Sequence, residues 1–175
     1  MSKVILNLAV SLDGYIARDD GSVDWLDNLD TDGSDLGLTD FIDSVGSIIT
    51  GRISFEHTKK LSDGHWPFKN KETFVITNGS YEDEDKIKFI NRDLNKLVKD
   101  LKRNELKNIW LFGGGNLIKY FREQNLIDEY IITMIPKMLG TGKKLFHSTL
   151  DTSKLELIGV VECENIIQLH YRNIT

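Results

Sequence analysis

Residues 4–10, VILNLAV, form a short and mostly apolar run that ends at Ser11-Leu12-Asp13-Gly14, which predicts a buried strand followed by a turn. The pattern is then lost. Between residues 17 and 39 Asp, Gly, Ser and Asn dominate, with Trp25, Leu26 and Leu29 as isolated apolar anchors, so a long functional loop is expected there, closed by a helix over residues 38–45. Residues 47–50 predict a second strand stopped by Gly51, with Ser54 as the N-cap of the helix that follows. Residues 73–77 predict a third strand broken by Asn78-Gly79, and the alternation in residues 87–90 a fourth.

Leu94, Leu97, Val98 and Leu101 have helical spacing, residues 108–112 read as a strand running into Gly113-Gly114-Gly115, and Leu117, Ile118 and Phe121 share the next helical face. The last third changes character. Residues 129–135, 155–163 and 166–172 are β-rich, the last two as an antiparallel hairpin turned at Glu164-Asn165. Strand and helix alternation followed by a hairpin predicts an α/β fold, a mixed sheet flanked by helices. A length of 175 residues predicts one domain over residues 1–175.

Composition excludes several function classes. Hydrophobic residues at 40% and charged residues at 28% are those of a globular protein, and a net charge of −5 spread along the chain argues against nucleic acid or an acidic membrane surface as partner. The single Cys163 lies between Glu162 and Glu164, which disfavour a reactive thiolate, and reads as a half-buried strand residue. With no signal-peptide pattern and no stretch of membrane-spanning length, the expected location is the cytoplasm. His57, His65, His147 and His170 have neither metal-ligand nor triad spacing, so no metal is expected.

The chemistry gathers at three strand ends. Glycines without Cβ at a strand-to-helix turn let the backbone take positive φ and approach a ligand, while the N–H groups of the following helix face it; phosphate is the natural occupant, a ligand-free turn the alternative. Gly113-Gly114-Gly115 has this design, and Gly51-Arg52-Ile53-Ser54 repeats it with a cation and a hydroxyl at the helix start. Thr77-Asn78-Gly79-Ser80 offers hydroxyl and amide groups suited to a ribose, or forms an ordinary turn. Gly-x-Gly-x-x-Gly is missing, so any dinucleotide is held differently from the usual doubly wound fold.

Taken in order, Ser11-Leu12-Asp13-Gly14-Tyr15-Ile16-Ala17, Thr50-Gly51-Arg52, the glycine triplet, Leu126-Ile127-Asp128-Glu129, Pro136 and residues 139–146 resemble the dihydrofolate-reductase-like family, in the branch of the reductase domain of bacterial riboflavin biosynthesis. The resemblance implies a three-layer, mainly parallel sheet and NADPH across the strand ends. It places cofactor phosphate at Gly51, Arg52 and Ser54, the adenosine ribose at Thr77 and Asn78, the pyrophosphate and nicotinamide side at Gly113, Gly114, Gly115, Asn116 and Leu117, and the nicotinamide between Ala9 and Ile16. It also implies a homodimer, with the last third of the chain and residues 136–146 as the pairing region.

Hydride transfer needs an acceptor carbon near the nicotinamide and a partner for the developing charge. Asp13 is the first candidate acid. Asp35 is the second, sixteen residues before Gly51, where the resemblance to folate reductases implies a pterin-binding carboxylate, with Asp40 and Asp43 as rivals on the following helix. Ser11, Tyr15 and Trp25 are candidate substrate contacts, the aromatics because they stack on flat rings. The expected function is NADPH-dependent reduction of a small nitrogen heterocycle, resembling 5-amino-6-(5-phosphoribosylamino)uracil reductase. The alternatives are dihydrofolate reduction or nucleotide binding without turnover.

Overall fold

A computed structural model describes residues 2–104, 106–146 and 153–175; His147 therefore lies outside the described residues. The strands are β1 (Val4–Ser11), β2 (Tyr15–Ala17), β3 (Val45–Gly51), β4 (Glu72–Ile76), β5 (Ile87–Ile90), β6 (Asn108–Gly113), β7 (Glu129–Ile135), β8 (Lys143–Lys144), β9 (Leu155–Cys163) and β10 (Ile166–Asn173). The helices are α1 (Leu38–Ser44), α2 (Arg52–Leu61), α3 (Leu94–Asn104) and α4 (Gly115–Glu123).

Eight strands form one sheet in the order β5-β4-β3-β6-β1-β7-β10-β9, and only β10 runs against the others. The apolar runs of β1, β3 and β6 occupy its middle, where both faces are covered and Val4, Leu6, Ile48, Ile49, Ile109 and Leu111 are fully buried. One face packs on α3 and α4 through Leu97, Val98, Leu101, Leu117, Ile118 and Phe121. The other packs Trp110 against Phe41 of α1, and Phe55 of α2 against Trp66. This is the three-layer α/β arrangement the sequence predicts, with the hairpin turned at Glu164, whose φ is +50°.

Two local features depart from expectation. Residues 15–17, to which the sequence assigns no strand, pair as β2 with β8 in a small second sheet. Helix α2 begins at Arg52 with Gly51 as its N-cap and no side-chain capping bond, so Ser54 is the third helical residue rather than the cap. The chain turns directly out of β3 into the helix, which leaves no room for the two extra residues that a serine cap would need.

Candidate functional site

The three predicted turns are neighbours because their strands are. Gly51 pairs in register with Ile76 at the end of β4, and Thr50 pairs with Gly113 at the end of β6. The backbones come close enough that a Cβ on Gly51 would sit 3.6 Å from the Gly113 carbonyl oxygen. Gly113 and Gly114 adopt φ of +124° and +96°, conformations that L side chains rarely take, so the turn requires glycine.

Helices α2 and α4 both start here without a side-chain cap, leaving the N–H groups of their first turns facing the same space. Two aligned helix dipoles add positive potential at that point, and such a pair of turns suits an anion with more than one phosphate. Arg52 stands at the outer edge. Its Nη1 donates to both Glu56 carboxylate oxygens, at 2.7 and 2.8 Å, and its guanidinium lies 5.8 Å from the centre of the Tyr81 ring, which is itself stacked on Phe89. The Glu56 hydrogen bond, and behind it the Glu56 charge, raises the Arg52 pKa further, so the cation is permanent.

From these turns one open groove of about 1980 Å³ runs across the strand ends, past Ala9 and Ile16 to Thr133, Ile135 and Gln168. A site for one small ligand holds roughly 300–1,000 Å³. The groove is large enough for two molecules end to end. All twelve residues that the sequence nominates for cofactor contact line it, as do Tyr15 and Asp35. Thr77 Oγ1 accepts from Gly79 N at 3.1 Å, which shapes the third turn.

Three nominated residues do not belong to this groove. Trp25 is 2% exposed and packs with Ile135 and Ile166 beneath the long loop, where it anchors the loop and cannot stack on a substrate. Ser11 is fully buried; its Oγ accepts from Tyr15 N and donates to Asp13 Oδ1 at 2.6 Å. Asp13 also accepts from the N–H groups of Leu139 and Gly140, so it ties the first turn to residues 139–140 and faces a separate cavity beside Met134 and Phe146. The Ser11 hydroxyl, followed by the Gly140 and Leu139 amides, holds the Asp13 carboxyl below the usual carboxylate range. An acid so firmly ionised has no proton to give at neutral pH.

Asp35 reaches the groove wall, but its oxygens accept from the N–H groups of Gly37 and Thr39 at 2.9 Å each. The Thr39 hydroxyl, then these amides, lowers its pKa. It acts as a capping carboxylate at the start of α1. Tyr15 lines the groove from β2 while its hydroxyl donates to the Gly140 carbonyl at 3.2 Å.

Sequence reasoning overlooks Tyr81, Thr133 and Gln168. Thr133 and Gln168 carry a faint signal, as polar residues inside the apolar runs of β7 and β10. Tyr81 carries none, because the acidic stretch after it disguises its stacking on Phe89.

Residues 49–169 match the model of the RibD C-terminal domain, a span that holds all three strand-end turns. The chain belongs to the RibD C-terminal domain family. Two Bacillus subtilis (strain 168) members of similar length are YwjB, 42% identical over 171 residues and 97% of each chain, and YyaP, 33% identical over 180 residues, 97% of this chain and 94% of the other. A shorter match, 32% over 91 residues, covers 49% of this chain and 40% of the 5-amino-6-(5-phosphoribosylamino)uracil reductase of Buchnera aphidicola. Among solved structures, a Shewanella sp. PV-4 protein named for riboflavin biosynthesis superposes with a TM-score of 0.88 at 29% identity over 99% of both chains. A Thermotoga maritima diaminohydroxyphosphoribosylaminopyrimidine deaminase/5-amino-6-(5-phosphoribosylamino)uracil reductase shares the fold at 16% identity and a TM-score of 0.72, this chain spanning 56% of it. Among the described residues no helix is long and apolar enough to cross a membrane.

Proposed function

We propose that this RibD-type domain is an NADPH-dependent reductase of a small, planar nitrogen heterocycle. The observation that carries the reading is the single groove joining the bare glycine turns to the floor at Ala9, Thr133 and Gln168. The residues fit the cofactor: Gly113 and Gly114 hold positive-φ turns that leave main chain without side chains beside Gly51, two uncapped helix starts face the pyrophosphate position, and Arg52 offers a fixed charge to the 2′-phosphate.

When bound, the reduced nicotinamide supplies a hydride to a C=N or imine carbon of the substrate. The chain's own part is placement. Ala9 and Ile16 give the nicotinamide an apolar seat, Tyr15 forms a wall braced by Gly140, and the floor strands hold the second ring. Asp13 faces a separate cavity and Asp35 is engaged by the Gly37 and Thr39 amides, so neither is placed to deliver the proton that completes reduction at nitrogen.

The substrate class is a pyrimidine of the type reduced by the Buchnera aphidicola relative. Purified protein, NADPH and a panel of pyrimidines, pterins and flavin precursors test this by loss of reduced-nicotinamide absorbance; oxidation with a pyrimidine supports it, and none with any of the panel contradicts it. The locked carboxylates favour one second reading, a nucleotide-binding protein without turnover, which the same panel would reveal as binding without oxidation. Self-association belongs to this reading as well. β9 is an edge strand with Leu155, Leu157, Val160 and Val161 all more than 40% exposed, an apolar edge suited to a second copy of the chain.

A further inference from the structure

At the far end of the groove, three adjacent strands set Ala9, Thr133 and Gln168 in one row across the sheet. Gln168 Nε2 donates to Thr133 Oγ1 at 3.0 Å, and both side chains line the groove. The bond fixes the carboxamide. One Nε2–H is committed to the threonine, while Oε1 and the second N–H have no other partner among the described residues. Gln168 stands two strand spacings, roughly 10 Å, from Ala9. That is where a ring facing the nicotinamide seat would extend.

We propose that Gln168, oriented by Thr133, selects the heterocycle by recognising a neutral lactam edge, a ring N–H beside a C=O. The inference rests on the reductase reading of the groove and deepens it. A carboxamide with one free donor and one free acceptor complements a lactam, which presents one of each. A carboxylate would accept only and would suit a protonated amidine edge, which presents two donors. Of the carboxylates that line the groove, Asp35 accepts from the Gly37 and Thr39 amides and Asp20 from the Ser22 amide, so both are turned toward their own loops. A site that hydrogen-bonds an edge of its ligand rejects analogues that leave its polar groups unpaired.

Two probes distinguish these edges: 5,6-diaminouracil, with lactam edges, and 2,4,5,6-tetraaminopyrimidine, with amidine edges that protonate. Both are titrated calorimetrically into the whole protein, with saturating NADPH and without it. The wild type binds the uracil about tenfold or more tightly than the amidine, and Gln168→Leu loses about tenfold or more for the uracil, because both hydrogen bonds to its edge are lost. NADPH affinity stays unchanged in that variant. Gln168→Glu reverses the order of the two probes. Thr133→Val, which keeps shape and removes the hydroxyl, weakens uracil binding by about threefold, since the amide is then free to turn. Equal uracil binding by Gln168→Leu, no preference in the wild type, or an unchanged order in Gln168→Glu would each overturn the inference. Failure to bind NADPH overturns the reductase reading instead, and the titrations without cofactor still decide Gln168.

Discussion

A Cβ added to Gly114 would lie 3.1 Å from the Ser54 hydroxyl oxygen, so the third residue of α2 packs against the N-cap of α4 and the two glycine turns form one structure. Gly114→Ala meets both this contact and the +96° φ. It should lower unfolding free energy by about 1–3 kcal/mol, the range for backbone strain of this kind. Ser54→Ala combined with it should restore part of the loss, because the crowding is relieved and the strain is not. Urea denaturation of the two single variants and the double variant measures this, and strictly additive losses would refute the contact.

Arg52→Ala should weaken NADPH by about tenfold or more, as expected for a charge-assisted phosphate contact, and leave NADH nearly unaffected. Glu56→Gln removes the charge and one of the two acceptor oxygens that hold Nη1. It should leave NADPH affinity equal or higher, and equal losses in both variants would show that the ion pair itself, rather than the guanidinium, matters for the cofactor.

Asp13→Asn separates a structural carboxylate from an acid. The variant should keep turnover within about threefold, where loss of a general acid costs roughly 100-fold or more. Its thermal midpoint should fall, because the Leu139 and Gly140 amides then share a weaker acceptor. Asp35→Asn should behave in the same way, with the loss falling on the start of α1.

Glu129 lies at the opposite end of the sheet, 4% exposed. Burial alone would raise its pKa, but the Lys3 hydrogen bond at 2.6 Å and the His170 contact at 3.1 Å, with their charges, outweigh that and hold it below its ordinary value. A carboxylate depressed in the folded state contributes stability above its unfolded pKa and loses it as pH falls through the folded one. Stability should therefore decline below the ordinary glutamate range. Glu129→Gln should cost roughly 1.5–3 kcal/mol at neutral pH and flatten that decline. A wild-type slope retained in the variant would assign the acid sensitivity to other groups.

The sheet was legible wherever burial dictates the pattern. The apolar runs of β1, β3 and β6 and the face of Leu117, Ile118 and Phe121 admit one placement each, and the glycines mark turns that only glycine tolerates. Residues whose role depends on distant partners were not. Asp13 and Asp35 have the chemistry of acids, and only the amides of residues 139–140 and 37–39 reveal them as clamps. Trp25 reads as an apolar anchor of its loop, but its partners Ile135 and Ile166 lie more than a hundred residues later and are not marked in the sequence. Gln168 gains meaning through Thr133, on a strand that the sequence alone could not set beside it.

The measurement that tests the central claim most directly is a calorimetric titration of the whole protein with NADPH. Saturable binding of one molecule per chain, tighter than that of NADH, is the predicted result. No heat of binding at millimolar NADPH, from protein that is folded by circular dichroism, would contradict the claim that the two glycine turns hold a reduced dinucleotide.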